Sequence, residues 1–258
     1  MTDSRRRVAL CLMAHPDDCE FLAAGTLALL AQRGWQIHIA TSTPGDCGTT
    51  TLSPTAIATQ RKREATTAAA IIGAEYHCLE LRDLHVTYSE DAIRRALQLF
   101  RAIAPTLVIT HAREDYMPDH EVTTQLARTA SLGFFVPNAC GGPITPSVGM
   151  PHLYYADPIG LTDAFGQPAP AAVTIDITSV YETKKQMLAA HASQRDWLCA
   201  HYGTDEYIDN MTQWSNQRGQ SIGKPYAEGF RQHKAYGYPP DCILQRELGA
   251  LVFRPKPD

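Results

Sequence analysis

A regular alternation of strand-like and helix-like segments runs from Arg7 to His111, and it constrains the fold more than any other feature of the chain. Arg7 to Met13 is an apolar run bounded by charge and by Pro16, as expected of a buried strand. Glu20 to Arg33 has apolar residues at helical spacing and stops at Gly34. Gln36 to Thr43, Glu75 to Leu81 and Thr106 to His111 repeat the strand pattern. Ala56 to Ile72, stopped by Gly73, and Ser89 to about Ile103, ended by Pro105, repeat the helical one. Four such units in succession predict an α/β fold: a Rossmann-like, mostly parallel sheet with helices on both faces. Sheets of this kind keep their sites in the loops at the carboxyl ends of the strands. Further on, Phe134 to Pro151 carries four prolines and three glycines and reads as a long loop. Leu153 to Ala156 and Ala172 to Ile177 read as strands, and Val180 to His201 as one long helix. No linker separates a second domain, so residues 1–258 are expected to form a single α/β domain, with a less regular C-terminal extension from about residue 195.

Composition narrows the function classes. Charged residues are 19% of the chain and the net charge is -4. Nothing in that balance advertises a nucleic acid or a membrane surface as partner, and Arg5-Arg6-Arg7 is too short to be more than a solvated tail. Seven cysteines, odd in number and without a CxxC pair, argue against a disulfide framework and for a reducing compartment. The arginines followed by Val8 to Ala14 mimic a secretion signal, but the apolar run is short and acidic residues follow at once. No stretch approaches the 18 or so apolar residues that span a bilayer. A soluble cytoplasmic protein is expected.

Chemistry-bearing residues gather after two of the predicted strands. His15, Pro16, Asp17 and Asp18 follow the first, and Glu114 to His120 follow the one ending at His111. Catalytic zinc takes three protein ligands of nitrogen or oxygen and leaves one position open. His15 and Asp18, three apart, can be presented by one tight turn, and His120 can complete the set from the facing loop. Asp17 is then a carboxylate placed to accept a proton from a water whose pKa the metal lowers. The same turn also suits a plain helix cap, since aspartate is favoured at an N-cap and acidic residues suit a first turn. No GxGxxG or Walker-type loop follows the first strand, which argues against a nucleotide-binding protein without metal.

Ala14-His15-Pro16-Asp17-Asp18, with Glu20 two places on, resembles the leading signature of the PIG-L/LmbE family of zinc-dependent N-acetylglucosaminyl deacetylases. Asp115-Tyr116-Met117-Pro118-Asp119-His120 resembles its second signature. The resemblance implies that His15, Asp18 and His120 bind Zn2+ and that Asp17 is the general base. Arg61 and Glu64 resemble the family's Arg-x-x-Glu helix, whose arginine contacts substrate; an i,i+3 surface pair would give the same spacing. Asp83 resembles an aspartate that holds sugar hydroxyls. Lys184 to Gln194, including His191, resembles a recurring late-helix segment. These matches run from Val8 to about Gln194, with Tyr226-Ala227-Glu228-Gly229-Phe230 a further familiar run. The implied activity is removal of an N-acetyl or other N-acyl group from an amino sugar or its conjugate, and the implied partner is that small molecule. The resemblance leaves room for a homo-oligomer.

Met117 departs from the family pattern, which often has histidine there as an acid or oxyanion donor. Methionine offers only a weak thioether acceptor. Tyr116 could cover the oxyanion, a histidine such as His191, His111 or His152 could move the proton, or the reaction could be slow. Loss of one oxyanion donor costs about 10²- to 10³-fold in rate. Two other readings stay open: an amidase acting on a thiol conjugate or an antibiotic precursor, with Phe134, Phe135, Val136, Ile144 and Val148 lining a less polar pocket, and a catalytically weak, metal-retaining sugar binder.

Overall fold

β1 (Val8–Met13) is buried at every position, the pattern of a strand covered on both faces rather than one. It lies near the middle of an eight-stranded sheet in the order β3-β2-β1-β4-β5-β7-β6-β8. The computed structural model describes residues 7–141, 149–202 and 206–255. Arg5 and Arg6, with Ile144 and Val148 of the Phe134–Pro151 segment, lie outside the described residues.

β1, β2 (Gln36–Thr41), β3 (Glu75–Cys78), β4 (Leu107–Thr110) and β5 (His152–Ala156) pair in parallel. The far side is antiparallel: β7 (Ala227–Gln232) is inserted between β5 and β6 (Val173–Asp176), and β8 (Val252–Phe253) follows β6. The sheet is thus mixed, with its parallel half in the first 156 residues.

Helices cover both faces, each burying its own core. On one face α1 (Asp18–Leu22), α2 (Ala24–Ala31) and α6 (Tyr181–Ala189) supply Leu22, Leu27, Leu30 and Met187. On the other, α4 (Glu90–Ile103) and α5 (Pro118–Gly133) supply Leu97, Phe100, Leu126 and Ala130. Local chemistry sets the ends of these helices. Ser53 and Ser89 accept from the backbone N–H three residues on and cap α3 (Pro54–Ala70) and α4, and Ala104 closes α4 in the left-handed region at φ 51.

Two expected helices are each broken in two, and in both cases a distant carboxylate takes the amide groups at the break. The helix expected over Glu20–Arg33 divides at Ala23, because Glu228 of β7 accepts from Gly25 N at 2.8 Å and Thr26 N at 2.7 Å. The helix expected over Val180–His201 divides at His191 into α6 and α7 (Ala192–Tyr202), where Glu64 of α3 accepts from Ser193 N at 3.1 Å and Ser193 Oγ at 2.6 Å. Neither carboxylate can be paired with its helix from local sequence. The C-terminal region holds α8 (Tyr207–Gln220), β7 and α9 (Ile243–Leu248), none of which the periodicity announces.

Candidate active site

The strand order reverses between β1 and β4, since β2 and β3 lie on one side of this pair and β5 on the other. Loops leaving such a switch point diverge and open a crevice at the carboxyl ends of the strands. The His15–Asp18 turn leaves β1 and the segment leading to His120 leaves β4, so both clusters face that crevice.

The first turn is closed from within: His15 N donates to Asp18 Oδ2 at 2.7 Å. Asp17, between them, has a left-handed backbone at φ 106, an uncommon conformation for a residue other than glycine and one associated with functional sites. Asp18 Oδ2 lies 3.3 Å from His15 Nδ1 and 3.5 Å from His120 Nε2, and one donor atom from each of the three residues falls within 4.8 Å of the others. All three are nearly fully buried.

The outer nitrogens of both histidines are held. His15 Nε2 faces Asp83 Oδ1 at 3.2 Å and Asp119 Oδ2 at 3.4 Å, and His120 Nδ1 faces Asp115 Oδ1 at 3.0 Å. This is the carboxylate–histidine arrangement that fixes the tautomer and aims the other ring nitrogen at a metal. His120 Nε2, buried, has no hydrogen-bond partner among the described residues. Burial would lower the pKa of both histidines, yet Asp119, Asp18 and Asp83 raise His15 well above its ordinary value, and Asp18 and Asp115 raise His120. Burial would raise Asp18, but the neighbouring His120 and His111 hold it well below the usual carboxylate range. An orphaned ring nitrogen, two oriented histidines and an excess of buried carboxylates fit a divalent cation.

Asp17 sits beside this cluster. Burial pushes its pKa up against the opposing Arg61 charge. Arg61 is itself buried, donating to Pro16 O at 2.7 Å and Gly45 O at 3.4 Å, with Nη2 3.5 Å from Asp17 Oδ2. Its guanidinium lies so close to Gly45 (φ +70) that a Cβ there would come within 2.1 Å of Nη1. Arg61 and Glu64 are therefore no surface pair: both are buried, the arginine facing the reaction loop and the glutamate facing Ser193.

The other predicted residues are spread around this centre. Asp83 lines the cavity and also touches His15. Tyr116 stands at the rim, 67% exposed, with its ring edge-on to His120 at 5.4 Å between centroids. His191 is fully buried behind Asp17, 3.5 Å from Glu20 Oε2. His111 Nε2 accepts from Ala14 N at 2.9 Å and stacks on His120, so it braces the turn. His152 is at the amino end of β5, paired with Asp241 at 2.8 Å, away from the crevice. Met117 does line the cavity.

That cavity has a volume of about 660 Å3. Its floor is His15, Asp17, Asp18, Asp83 and Arg61, and its far wall is Phe21, Ile159, Trp197, Leu198, Tyr207 and Trp214. Among the described residues of the Phe134–Pro151 segment, none supplies the apolar wall. Phe134 is buried against Phe100 in the core under α4 and α5, and Arg101 Nε donates to its carbonyl at 2.8 Å, which ties the segment to α4. The apolar wall comes instead from α1, α7 and α8. Tyr207 has the largest consequence among the residues not foreseen: almost fully buried, it donates its hydroxyl to Asp17 Oδ2 at 2.8 Å. Its spacing with Met211 and Gly219 along α8 signals only a buried helix face.

Residues 10–131 match the family model described as PIG-L: GlcNAc-PI de-N-acetylase. Among curated proteins, the 4-oxalmesaconate hydratase of Pseudomonas putida is 27% identical over 198 residues, 73% of this chain and 74% of that one. The diacetylchitobiose deacetylase of Thermococcus kodakarensis is 26% identical over 231 residues, 86% and 81% of the two chains. Two solved structures share the fold. The N,N'-diacetylchitobiose deacetylase of Pyrococcus horikoshii superposes with a TM-score of 0.74 at 24% identity, covering 88% of this chain and 84% of that one. The 4-carboxy-2-hydroxymuconate hydratase of Pseudomonas putida gives 0.73 at 24% identity, covering 92% and 100%.

Proposed function

From the PIG-L family domain that this chain carries over residues 10–131, we propose a zinc-dependent hydrolase that removes an acetyl or other acyl group from the nitrogen of an amino sugar or amino-sugar conjugate. The observation that carries this is the buried His15–Asp18–His120 cluster with the Asp17 carboxylate beside it on the cavity floor. His15, Asp18 and His120 would hold the ion, which when bound lowers the pKa of a water and polarises the substrate carbonyl. Asp83 and Asp119 keep the His15 ring turned inward, and Asp115 does the same for His120. Asp17 accepts the proton from the attacking water as the new bond to the carbonyl carbon forms. Burial raises its pKa above the ordinary carboxylate value, which makes it a stronger base.

When the carbon–nitrogen bond breaks, the leaving amine needs a proton. Met117 has none to give, so Asp17 returns the proton that it took, while Tyr207 and Arg61 steady the carboxylate in both states. His191 is buried behind Asp17, and the neighbouring Glu20 raises its pKa against the effect of burial. Tyr116 at the rim donates to substrate oxygen. The aromatic wall of Trp197, Tyr207 and Trp214 gives a sugar ring or an apolar substituent a face to stack on. The described cysteines are unpaired and no helix among the described residues is long and apolar enough to cross a membrane; with these, cytoplasmic work on a small molecule is the proposed setting.

Hydration of an unsaturated carboxylate is the second reading, favoured by the Pseudomonas relative and by Met117. Adding water across a double bond expels no amine: the hydroxyl forms a bond to one carbon and the proton that Asp17 took from the water goes to the neighbouring carbon, so no histidine at position 117 is needed to protonate a leaving group. Purified, chelator-stripped protein with zinc add-back separates the two. Acetate released from N-acetylated amino sugars, restored by zinc, supports the hydrolase. Metal-dependent loss of the ultraviolet absorbance of a conjugated unsaturated oxo- or hydroxy-tricarboxylate, with no acetate released, would overturn it in favour of the hydratase.

A further inference from the structure

At the outer edge of the sheet, away from the crevice, His38 of β2 and Glu75 and His77 of β3 form a second convergent cluster. Its origin is the parallel register. His38 is opposite Glu75 and Ala40 is opposite His77, and residues two apart on a strand share a face, so all three side chains project to one side. His38 Nδ1 lies 2.9 Å from His77 Nε2 and 3.7 Å from Glu75 Oε2, and His77 Nε2 lies 4.0 Å from Glu75 Oε1.

The 2.9 Å edge is that of a hydrogen bond between the two imidazoles, but the set of three groups also suits a metal. Tetrahedral zinc with bonds of about 2.0–2.2 Å sets its ligand atoms about 3.3–3.5 Å apart, and the three observed edges straddle that value. A hydrogen bond between two neutral imidazoles uses one proton, yet the same two nitrogens also face both oxygens of a carboxylate. The carboxylate contacts, at 3.7 and 4.0 Å, are longer than hydrogen bonds, and one cation can draw all three groups together. Glu75 has a side chain 68% exposed, so the cluster opens to solvent and an ion can enter and keep a water.

We propose that His38, Glu75 and His77 form a second metal site, separate from the reaction cavity, for a divalent ion that favours imidazole, such as zinc, nickel or copper. Its ligands span only β2 and β3. β3 is the edge strand, four residues long and only partly buried, so it has a neighbour on one side alone. An ion bound there ties the edge strand to the sheet and stabilises the native state by mass action. No residue of the cavity takes part.

The test is ion stoichiometry on the full chain, stripped with chelator and dialysed separately against zinc and nickel. Wild type is expected to hold about two ions, and Glu75→Gln, His77→Gln and the reaction-site variant His120→Asn about one each. Glu75→Gln changes an exposed side chain and should leave the fold intact, and both edge variants should keep the hydrolytic rate of wild type. Nickel should raise the melting temperature of His120→Asn but not of His120→Asn combined with His77→Gln. Equal ion content in wild type and both edge variants would overturn the edge site, as would a single ion that only His120→Asn removes. A single ion lost in His77→Gln and kept in His120→Asn would uphold the edge site and count against the reaction-site metal.

Discussion

The Tyr207 hydroxyl donates to Oδ2 of Asp17 at 2.8 Å across 190 residues of chain. One carboxylate oxygen therefore meets both a phenol from α8 and, at 3.5 Å, the guanidinium of Arg61 from α3. Burial disfavours the charged form of Asp17, and these two donors are what keep a carboxylate usable there. Tyr207→Phe removes one donor and keeps the ring in the cavity wall. A hydrogen bond to a charged group contributes about 1.5–3 kcal/mol, so kcat should fall about 10- to 100-fold with KM little changed. Steady-state kinetics on the best substrate checks this, and an unchanged kcat would sink the positioning role.

Asp17→Asn tests the base directly. Asparagine tolerates the left-handed backbone that Asp17 adopts at φ 106, so the turn should survive. Asp17 is outside the proposed ligand set, and bound zinc should remain near the wild-type content. Without a general base the rate should drop about 10²- to 10⁴-fold. Metal analysis and turnover are measured on the same sample. Near-full activity would refute the assignment, and loss of zinc would move Asp17 into the ligand set.

The parallel half of the fold was legible because buried strands and capped helices leave a periodic trace, and α4 shows why. Ser89, Glu90 and Asp91 open it and its apolar stripe faces the core. The His15–Asp18 turn was equally legible, as side chains three apart at a strand end carry their geometry in their spacing. Long-range polar pairs leave no such trace. Nothing local to Ala23 says that Glu228 will seize the next two amides, and nothing in α8 separates Tyr207, which reaches the reaction loop, from Met211, which merely packs. β7 was missed for a related reason: Glu228, Gly229 and Arg231 interrupt the apolar pattern because each has a partner elsewhere in the molecule.

Glu228 and Lys184 are both almost fully buried, with Nζ 2.7 Å from Oε1. Glu228 also receives Gly25 N and Thr26 N at the start of α2, whereas among the described residues Lys184 has only Phe21 O besides. Removing one partner of a buried pair typically costs about 3–5 kcal/mol. Glu228→Gln should lie at the upper end, since it strands a buried ammonium and weakens a helix cap. Lys184→Met should cost less, because the carboxylate keeps two amide donors and the helix dipole. Urea midpoints order the two, and equal midpoints would show that the cap contributes nothing beyond the ion pair.

Asp157 supplies a pH dependence of stability. It pairs with Arg218 Nε at 2.7 Å, where a Cβ on Gly229 would come within 2.1 Å of Oδ2. Burial raises its pKa to about 6 despite the arginine. A carboxyl group whose folded pKa lies above its unfolded value binds its proton more tightly when folded. Its contribution is fully present below the unfolded pKa of about 4 and is lost as the pH rises through 6. The shift corresponds to about 3 kcal/mol at most. Asp157→Asn cannot titrate, so the unfolding free energy of wild type relative to this variant should fall by up to that amount between pH 4 and pH 7. Denaturant unfolding of both proteins across that range measures the difference, which cancels the titration of all other groups. A flat difference would mean that Arg218 and burial cancel and leave the Asp157 pKa unshifted, and a rising one that the ion pair outweighs burial and holds Asp157 ionised.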